Sequence, residues 1–69
     1  MSTEQLGQLK AIISESGLKM GFIAKEIGIS RPSLINRLSG AQEFKLSEVD
    51  RLRSLLNLSS DAVIHIFFS

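Results

Sequence analysis

Arg31 and Asn36 offer the most specific side-chain chemistry in this 69-residue sequence. A guanidinium can donate two hydrogen bonds to the O6 and N7 atoms of guanine, and a carboxamide can pair with the N6 and N7 atoms of adenine. Leu34 and Leu38 lie in the same segment at the spacing of a buried helical stripe. The pattern therefore predicts a helix with one face in the core; its opposite, exposed face carries Arg31, Pro32, Ser33, Asn36 and Arg37.

A second helix and a tight turn must hold this face in place. Apolar residues at helical spacing predict a helix over about 20–27, and Gly28 supplies the positive φ angle that a sharp turn needs. Ser30 is a good N-cap for the next helix, over about 31–38, although the proline after Arg31 makes Arg31 an alternative cap. A helix, a tight turn and a helix with a polar face form the helix-turn-helix arrangement, whose second helix enters the major groove of DNA.

The remaining segments are also predicted to be helical, because no stretch alternates apolar and polar residues over the length of a strand. One helix covers about 3–16, another begins at Ser47 with Asp50 in the capping-box position, and the last covers about 60–68. Phe44, in a loop, is expected to fold back into the core. We therefore expect an all-α chain of five helices.

The length of the chain fits one small domain. Sixty-nine residues bury a modest share of their surface, so the helices must pack closely or the chain must dimerise. We expect a single helix-turn-helix domain over 1–69, with the helix-turn-helix itself at about 20–38.

Composition argues against several classes of function. The chain has no cysteine and one histidine, His65, so we expect no disulfide framework and no metal site. It has no recognisable catalytic constellation or glycine-rich phosphate loop, so we expect no catalytic residue, cofactor or small-molecule substrate and do not predict an enzyme. The N-terminus lacks a signal-peptide pattern, and no apolar run approaches the ~20 residues that span a bilayer. These features predict a cytoplasmic protein without membrane contact.

Positive charge is concentrated where the helix-turn-helix is predicted. The chain has a net charge of +1, but residues 17–45 contain five basic residues and two acidic ones, whereas both flanking segments are slightly negative. Lys25, Arg37 and Lys45 belong to this basic segment and are candidates to neutralise DNA phosphates. Such contacts set register and salt dependence rather than sequence choice.

Four stretches of the sequence resemble one known family. They are Ile27-Gly28-Ile29-Ser30-Arg31, Leu34-Ile35-Asn36-Arg37-Leu38-Ser39-Gly40, Phe44-Lys45-Leu46-Ser47-Glu48-Val49 and Leu56-Asn57-Leu58-Ser59. Together they look like the phage repressor and Cro-type (XRE-like) helix-turn-helix domains, and the similarity runs from about Leu6 to Leu58. The resemblance implies a compact five-helix, lambda-repressor-like fold. It also implies a small phage transcriptional regulator in the cytoplasm of a bacterial host cell.

The resemblance further implies partners and site residues. Members of the family read double-stranded operator DNA as dimers, with the third helix in the major groove. The positions that match base contacts are Arg31, Pro32, Ser33 and Asn36, and those that match backbone contacts are Arg37, Ser39 and Lys45. Occupation of an operator would block polymerase, so we expect a repressor. Because members of the family bind as dimers, we also expect a homodimer.

The C-terminal residues leave two interpretations open. Ile64, Phe67 and Phe68 exceed what one face of a short helix can bury, which points to a dimer or partner interface, but they could also close a small core. Together with the low net charge and with Met20-Gly21, where the family often has a phosphate-gripping glutamine, they suggest an alternative function. The chain would then be a protein-binding modulator, an antirepressor or co-repressor that docks on another helix-turn-helix repressor. An antitoxin role is a third alternative.

Overall fold

Five α-helices and a π-helical turn form the fold in a computed structural model, which describes residues 1–68. The elements, in chain order, are α1 (Thr3–Ser16), α2 (Met20–Ile27), α3 (Arg31–Leu38), α4 (Leu46–Leu55), α5 (Ser60–Val63) and the π-helical turn (Ile64–Phe68). No strand occurs in the described residues. The all-α prediction is confirmed, and the predicted limits of α1, α2 and α3 agree with the structure.

Side-chain caps define where α1 and α3 begin. Ser2 accepts a hydrogen bond from the Gln5 amide at 3.1 Å, and the Gln5 side chain accepts one from the Ser2 amide at 2.8 Å. In α3 the hydroxyl of Ser30 accepts a hydrogen bond from the Ser33 amide at 3.1 Å. Ser30 is therefore the cap rather than Arg31, because the proline lies in the first helical turn, where a missing N–H leaves no partner unsatisfied.

The beginning of α4 differs from the prediction. The helix begins at Leu46 and not at Ser47, and Lys45 occupies the cap position. The capping acid is accordingly Glu48, whose carboxylate accepts a hydrogen bond from the Lys45 amide at 3.0 Å, and not Asp50. A serine followed by an acid at the right spacing was misleading here, because a second acid stood at the same spacing from Lys45.

The core is formed by one apolar face of each helix. Side chains that are almost completely enclosed are Leu9, Ile23, Ile27, Leu34 and Leu52. α2 packs against α3 and α4, whereas α1 packs against α3 and the π-helical turn. Since Leu34 and Leu38 both face this core, the opposite face of α3 lies on the surface.

The C-terminal segment, residues 60–68, closes the core with only part of its apolar surface. Ile66 is buried, and Phe67 packs on Phe44 with the ring centroids 5.9 Å apart and the rings perpendicular. Ile64 and Phe68 remain 56% and 60% exposed. The two interpretations of this segment thus apply to different residues: Phe67 is partly buried and packs against the core, whereas Ile64 and Phe68 are exposed.

Candidate nucleic-acid interface

A tight turn between α2 and α3 sets the direction of α3. Gly28 has a φ angle of 84°, in the region that side chains other than glycine rarely adopt. Its amide donates to the Lys25 carbonyl at 3.2 Å, and the Ile29 amide donates to the Ala24 carbonyl at 3.0 Å, which closes α2. Ile29 is half-buried against the core. Three residues, 28–30, therefore connect α2 to α3, and Ser30 caps the beginning of α3.

An arginine from α4 occupies the outside of this turn. The Nη1 atom of Arg51 donates to the Ile27 carbonyl oxygen at 3.4 Å, one of the carbonyls left without a partner at the end of α2. A Cβ atom placed on Gly28 would lie 2.6 Å from the same Nη1 atom. Glycine at position 28 thus allows the positive φ angle and leaves space for the guanidinium of Arg51.

The surface face of α3 contains the predicted base-reading residues. Arg31, Pro32 and Asn36 are exposed. Ser33 is half-buried, and its hydroxyl accepts a hydrogen bond from the Ser30 hydroxyl at 2.9 Å as part of the cap. The sequence of α3 contains no acidic residue. Three of the four predicted residues are therefore available to a ligand, and the fourth is partly committed to the beginning of the helix.

The candidates for phosphate contact lie at the C-terminal end of α3 and on the segments before and after it in the chain. Lys25 and Lys45 are exposed, and neither forms an ion pair with another of residues 1–68. Ser39 is also exposed, but its hydroxyl donates to the Asn36 carbonyl at 2.9 Å. Lys45 lies at the end of the loop that leaves α3, and Lys25 lies in the last turn of α2. The two lysines thus come from elements that adjoin α3 along the chain.

The placement of Arg37 is a correction. The spacing put Arg37 on the exposed face of α3, where we expected it to contact the DNA backbone. Its guanidinium instead pairs with the carboxylate of Glu48 in α4, with Nε 2.7 Å from Oε1 and Nη2 3.2 Å from Oε2. The Arg37 side chain is 11% exposed. It lies on a flank of α3, where its charge is already neutralised by an acid that would be costly to bury alone.

Sequence reasoning missed two charged residues that hold the candidate interface. Glu48 was not singled out because acids are rarely buried and its partner is distant in the sequence. Its spacing from Lys45 was the available signal. No local pattern connected Arg51 to Gly28, since the two residues meet only after α4 has folded against α2.

Two grooves in the described part of the chain are lined partly by apolar side chains. A groove of about 300 Å³ is lined by Met1, Glu43, Phe44, Leu46, Val49, Phe67 and Phe68. Leu46, the most exposed large apolar side chain among the described residues, lies at its edge. A second groove of about 220 Å³ lies beside α3, between Met20, Ile35 and Leu38. Ile35, expected either to touch a thymine methyl group or to be partly buried, is about half exposed in this groove.

The described residues lack two other kinds of site. No three His, Cys, Asp or Glu side chains among residues 1–68 come together in a way that could hold a metal ion. No helix in the described part of the chain is long and apolar enough to cross a membrane. The exposed face of α3 and its flanking lysines are therefore the features with the most definite ligand chemistry.

Comparison with known proteins adds no relative to this description. No protein-family model matches the chain, and neither a curated protein nor a solved structure matches it. The similarity to repressor and Cro-type domains consequently rests on the four stretches of sequence quoted above.

Proposed function

We propose that this protein binds double-stranded DNA in a sequence-specific manner and regulates transcription by occupying an operator. The observation that carries the proposal is the exposed, acid-free face of α3, with Arg31 and Asn36 on a helix whose other face is anchored in the core by Leu34. An α-helix fits the major groove, where each base pair presents a distinct pattern of donors and acceptors. Because α3 is anchored in the core, Arg31 and Asn36 would be held in a fixed position relative to the base pairs.

The chemistry of these side chains suits base recognition. Arg31 is at the first position of α3, and residues near the beginning of a recognition helix are those that reach base edges. Asn36 follows five residues later, about 140° further around the helix axis, and both side chains are exposed. We assign guanine to Arg31 and adenine to Asn36, with Pro32 and Ser33 as further contacts in the groove.

Two exposed lysines support the same placement of α3 in the major groove. Lys25 and Lys45 are exposed cations on the elements before and after α3, where they can contact the phosphates on the two sides of the groove. Ser39 can add a hydrogen bond to a phosphate if its hydroxyl turns away from the Asn36 carbonyl. Because Arg37 is already paired, it is not part of the proposed phosphate set.

The first experiment is a selection of genomic or random DNA fragments at about 0.15 M salt, where non-specific binding is already weak. We expect the wild-type protein to enrich one short site, and an approximately palindromic site if it binds as a dimer. The matched variant is Arg31→Ala combined with Asn36→Ala, which removes both readers and leaves the core and the Arg37 ion pair intact. This variant should enrich nothing.

The result decides the proposal in either direction. Equal enrichment by the wild type and the double variant would show that the face of α3 does not read bases. Failure of both to enrich any site would show that the protein is not a sequence-specific DNA-binding protein under these conditions.

A second candidate function is favoured by the groove beside Leu46 and Phe68. Exposed apolar patches on small proteins mark contact sites, so the chain could instead dock on another helix-turn-helix repressor and modulate it. Under this hypothesis Phe68→Ser abolishes partner binding while Arg31→Ala leaves it intact. Under the DNA-binding hypothesis the monomer reads its half-site whether or not Phe68 is present.

A further inference from the structure

We infer that Arg37 and Glu48 form a positioning pair that fixes Lys45 relative to the base-reading face of α3. This inference rests on the proposed DNA binding and assigns a role to two residues that do not themselves touch DNA. The pair connects α3 to the beginning of α4 and to the loop between them. A phosphate contact from Lys45 and a base contact from Asn36 could then be made to the same duplex without adjustment.

One carboxylate oxygen joins the two elements directly. The Oε1 atom of Glu48 accepts a hydrogen bond from Nε of Arg37 at 2.7 Å and from the backbone amide of Lys45 at 3.0 Å. The other oxygen, Oε2, accepts from Nη2 of Arg37 at 3.2 Å. The position of the Lys45 backbone is thus set, through a single oxygen atom, by a side chain of α3.

The guanidinium is fixed from its other side as well. Nη1 of Arg37 donates to the Ser33 carbonyl at 3.3 Å and to the Oε1 atom of Gln42 at 3.3 Å. These contacts tie it to the preceding turn of α3 and to the loop. A planar guanidinium with several directed donors imposes an orientation that a lysine in its place could not impose.

Stability alone is a weak explanation for this pair. Burying two charges is costly, and apolar residues of similar size often stabilise a fold as well or better. Glu48 is 4% exposed and is the one charged residue in the buried core of the described chain. A directional contact that links α3 to the cap residue of α4, Lys45, is therefore the more specific role.

The direction in which Glu48→Gln changes the affinity for DNA separates a positioning role from a purely electrostatic one. Glu48→Gln removes the negative charge that neutralises Arg37 and replaces one of its two acceptor oxygens by an N–H donor, which disrupts the pair. Because Arg37 then lacks a counter-charge, an electrostatic view predicts tighter DNA binding. The positioning role predicts a loss of about tenfold in affinity for the selected site, the size expected when one good contact is lost. The matched control is Glu43→Gln, which removes the same charge from an exposed loop residue that does not contact Arg37 and should bind as tightly as wild type or slightly more tightly.

The effect of Lys45→Gln on DNA binding distinguishes a positioning role of the Arg37–Glu48 pair from a purely structural one. In the wild type, Lys45→Gln should weaken binding and reduce the slope of log K against log salt by about 0.9. In the Glu48→Gln background the same substitution should have little further effect, because Lys45 is already misplaced. All variants are compared at a temperature where circular dichroism shows them folded, and Arg37→Lys replaces Glu48→Gln if the latter does not fold.

The outcomes are distinct. Binding by Glu48→Gln as tight as by Glu43→Gln, or an undiminished effect of Lys45→Gln in the Glu48→Gln background, would overturn the positioning role while leaving DNA binding intact. If the wild type selects no site at all, the proposed function fails and the positioning role fails with it.

Discussion

Helices α2 and α3 and the C-terminal segment, residues 60–68, bury their apolar side chains to different degrees. In α2 and α3, the apolar residues at helical spacing, such as Ile27 and Leu34, are buried, and α3 exposes a polar face. In residues 60–68, Ile66 is buried, while Ile64 and Phe68 lie exposed around the π-helical turn. Regular α-helical spacing sorts side chains into an inner and an outer face, whereas a run that is apolar at all but one position cannot be sorted in this way.

The contrast between a polar helix face and an exposed apolar segment indicates which kind of partner each region would bind. A polar, acid-free helix face held by a dry core suits the edges of base pairs and their phosphates. An exposed apolar surface beside a groove is suited to contact with another protein. The two regions are therefore candidates for separate partners rather than parts of one site.

The largest expected effect comes from the buried face of α3. Leu34→Ala should lower the free energy of unfolding by about 2–5 kcal/mol, since it empties a fully enclosed site. Urea denaturation followed by circular dichroism measures this change. The neighbouring control, Ile35→Ala, should cost about 1 kcal/mol or less because this side chain is half exposed. If the two variants are equally stable, α3 is rotated from the described position.

The C-terminal segment offers a matched pair of adjacent rings. Phe67→Ala should lower the free energy of unfolding by about 2–3 kcal/mol, because it removes both buried area and the perpendicular contact with Phe44. Phe68→Ala should change it by about 0.5 kcal/mol or less in dilute protein. A large loss for Phe68→Ala that grows with protein concentration would instead identify Phe68 as part of a dimer interface.

The smallest of the expected effects concerns the surface face of α3 and is seen in binding alone. Arg31→Ala should weaken binding to the selected site by about 1–3 kcal/mol and relax the preference at one base pair, with little effect on random DNA. Lys25→Gln, the control, should weaken both kinds of binding and reduce the salt slope. Equal losses on selected and random duplexes for Arg31→Ala would remove its assignment as a base reader. Titration of fluorescent duplexes at several salt concentrations makes the comparison.

Much of the fold could be predicted because local signals agree with one another. Gly17 ends α1, Gly28 makes the turn and Asn57, with a φ angle of 54°, follows α4 in the left-handed conformation expected of it. Apolar spacing located the inner face of each long helix. The π-helical turn was not predicted, because residues 63–68 contain a single polar position, His65, which is too little to define a face.

The candidate site was predicted less completely, and charge explains why. Arg31 and Asn36 are exposed, as predicted. Asn36 is exposed because its position is opposite Leu34 and Leu38, and Arg31 because it is the first residue of α3. Arg37 was misplaced because a helical position gives only the direction of the side chain, and the partner that draws it inward belongs to another helix. Whether a basic residue is free or paired depends on tertiary contacts, which helical spacing does not contain.

The contact between Gly28 and Arg51 has an evolutionary consequence. The positive φ angle restricts position 28 to glycine and the few residues that tolerate it, such as asparagine. A Cβ atom there would meet the flexible end of the exposed Arg51 side chain, which can move aside at the cost of its hydrogen bond to the Ile27 carbonyl. Change at position 28 should therefore begin with asparagine, and it should leave position 51 freer to vary because the contact of Arg51 with the turn is then lost.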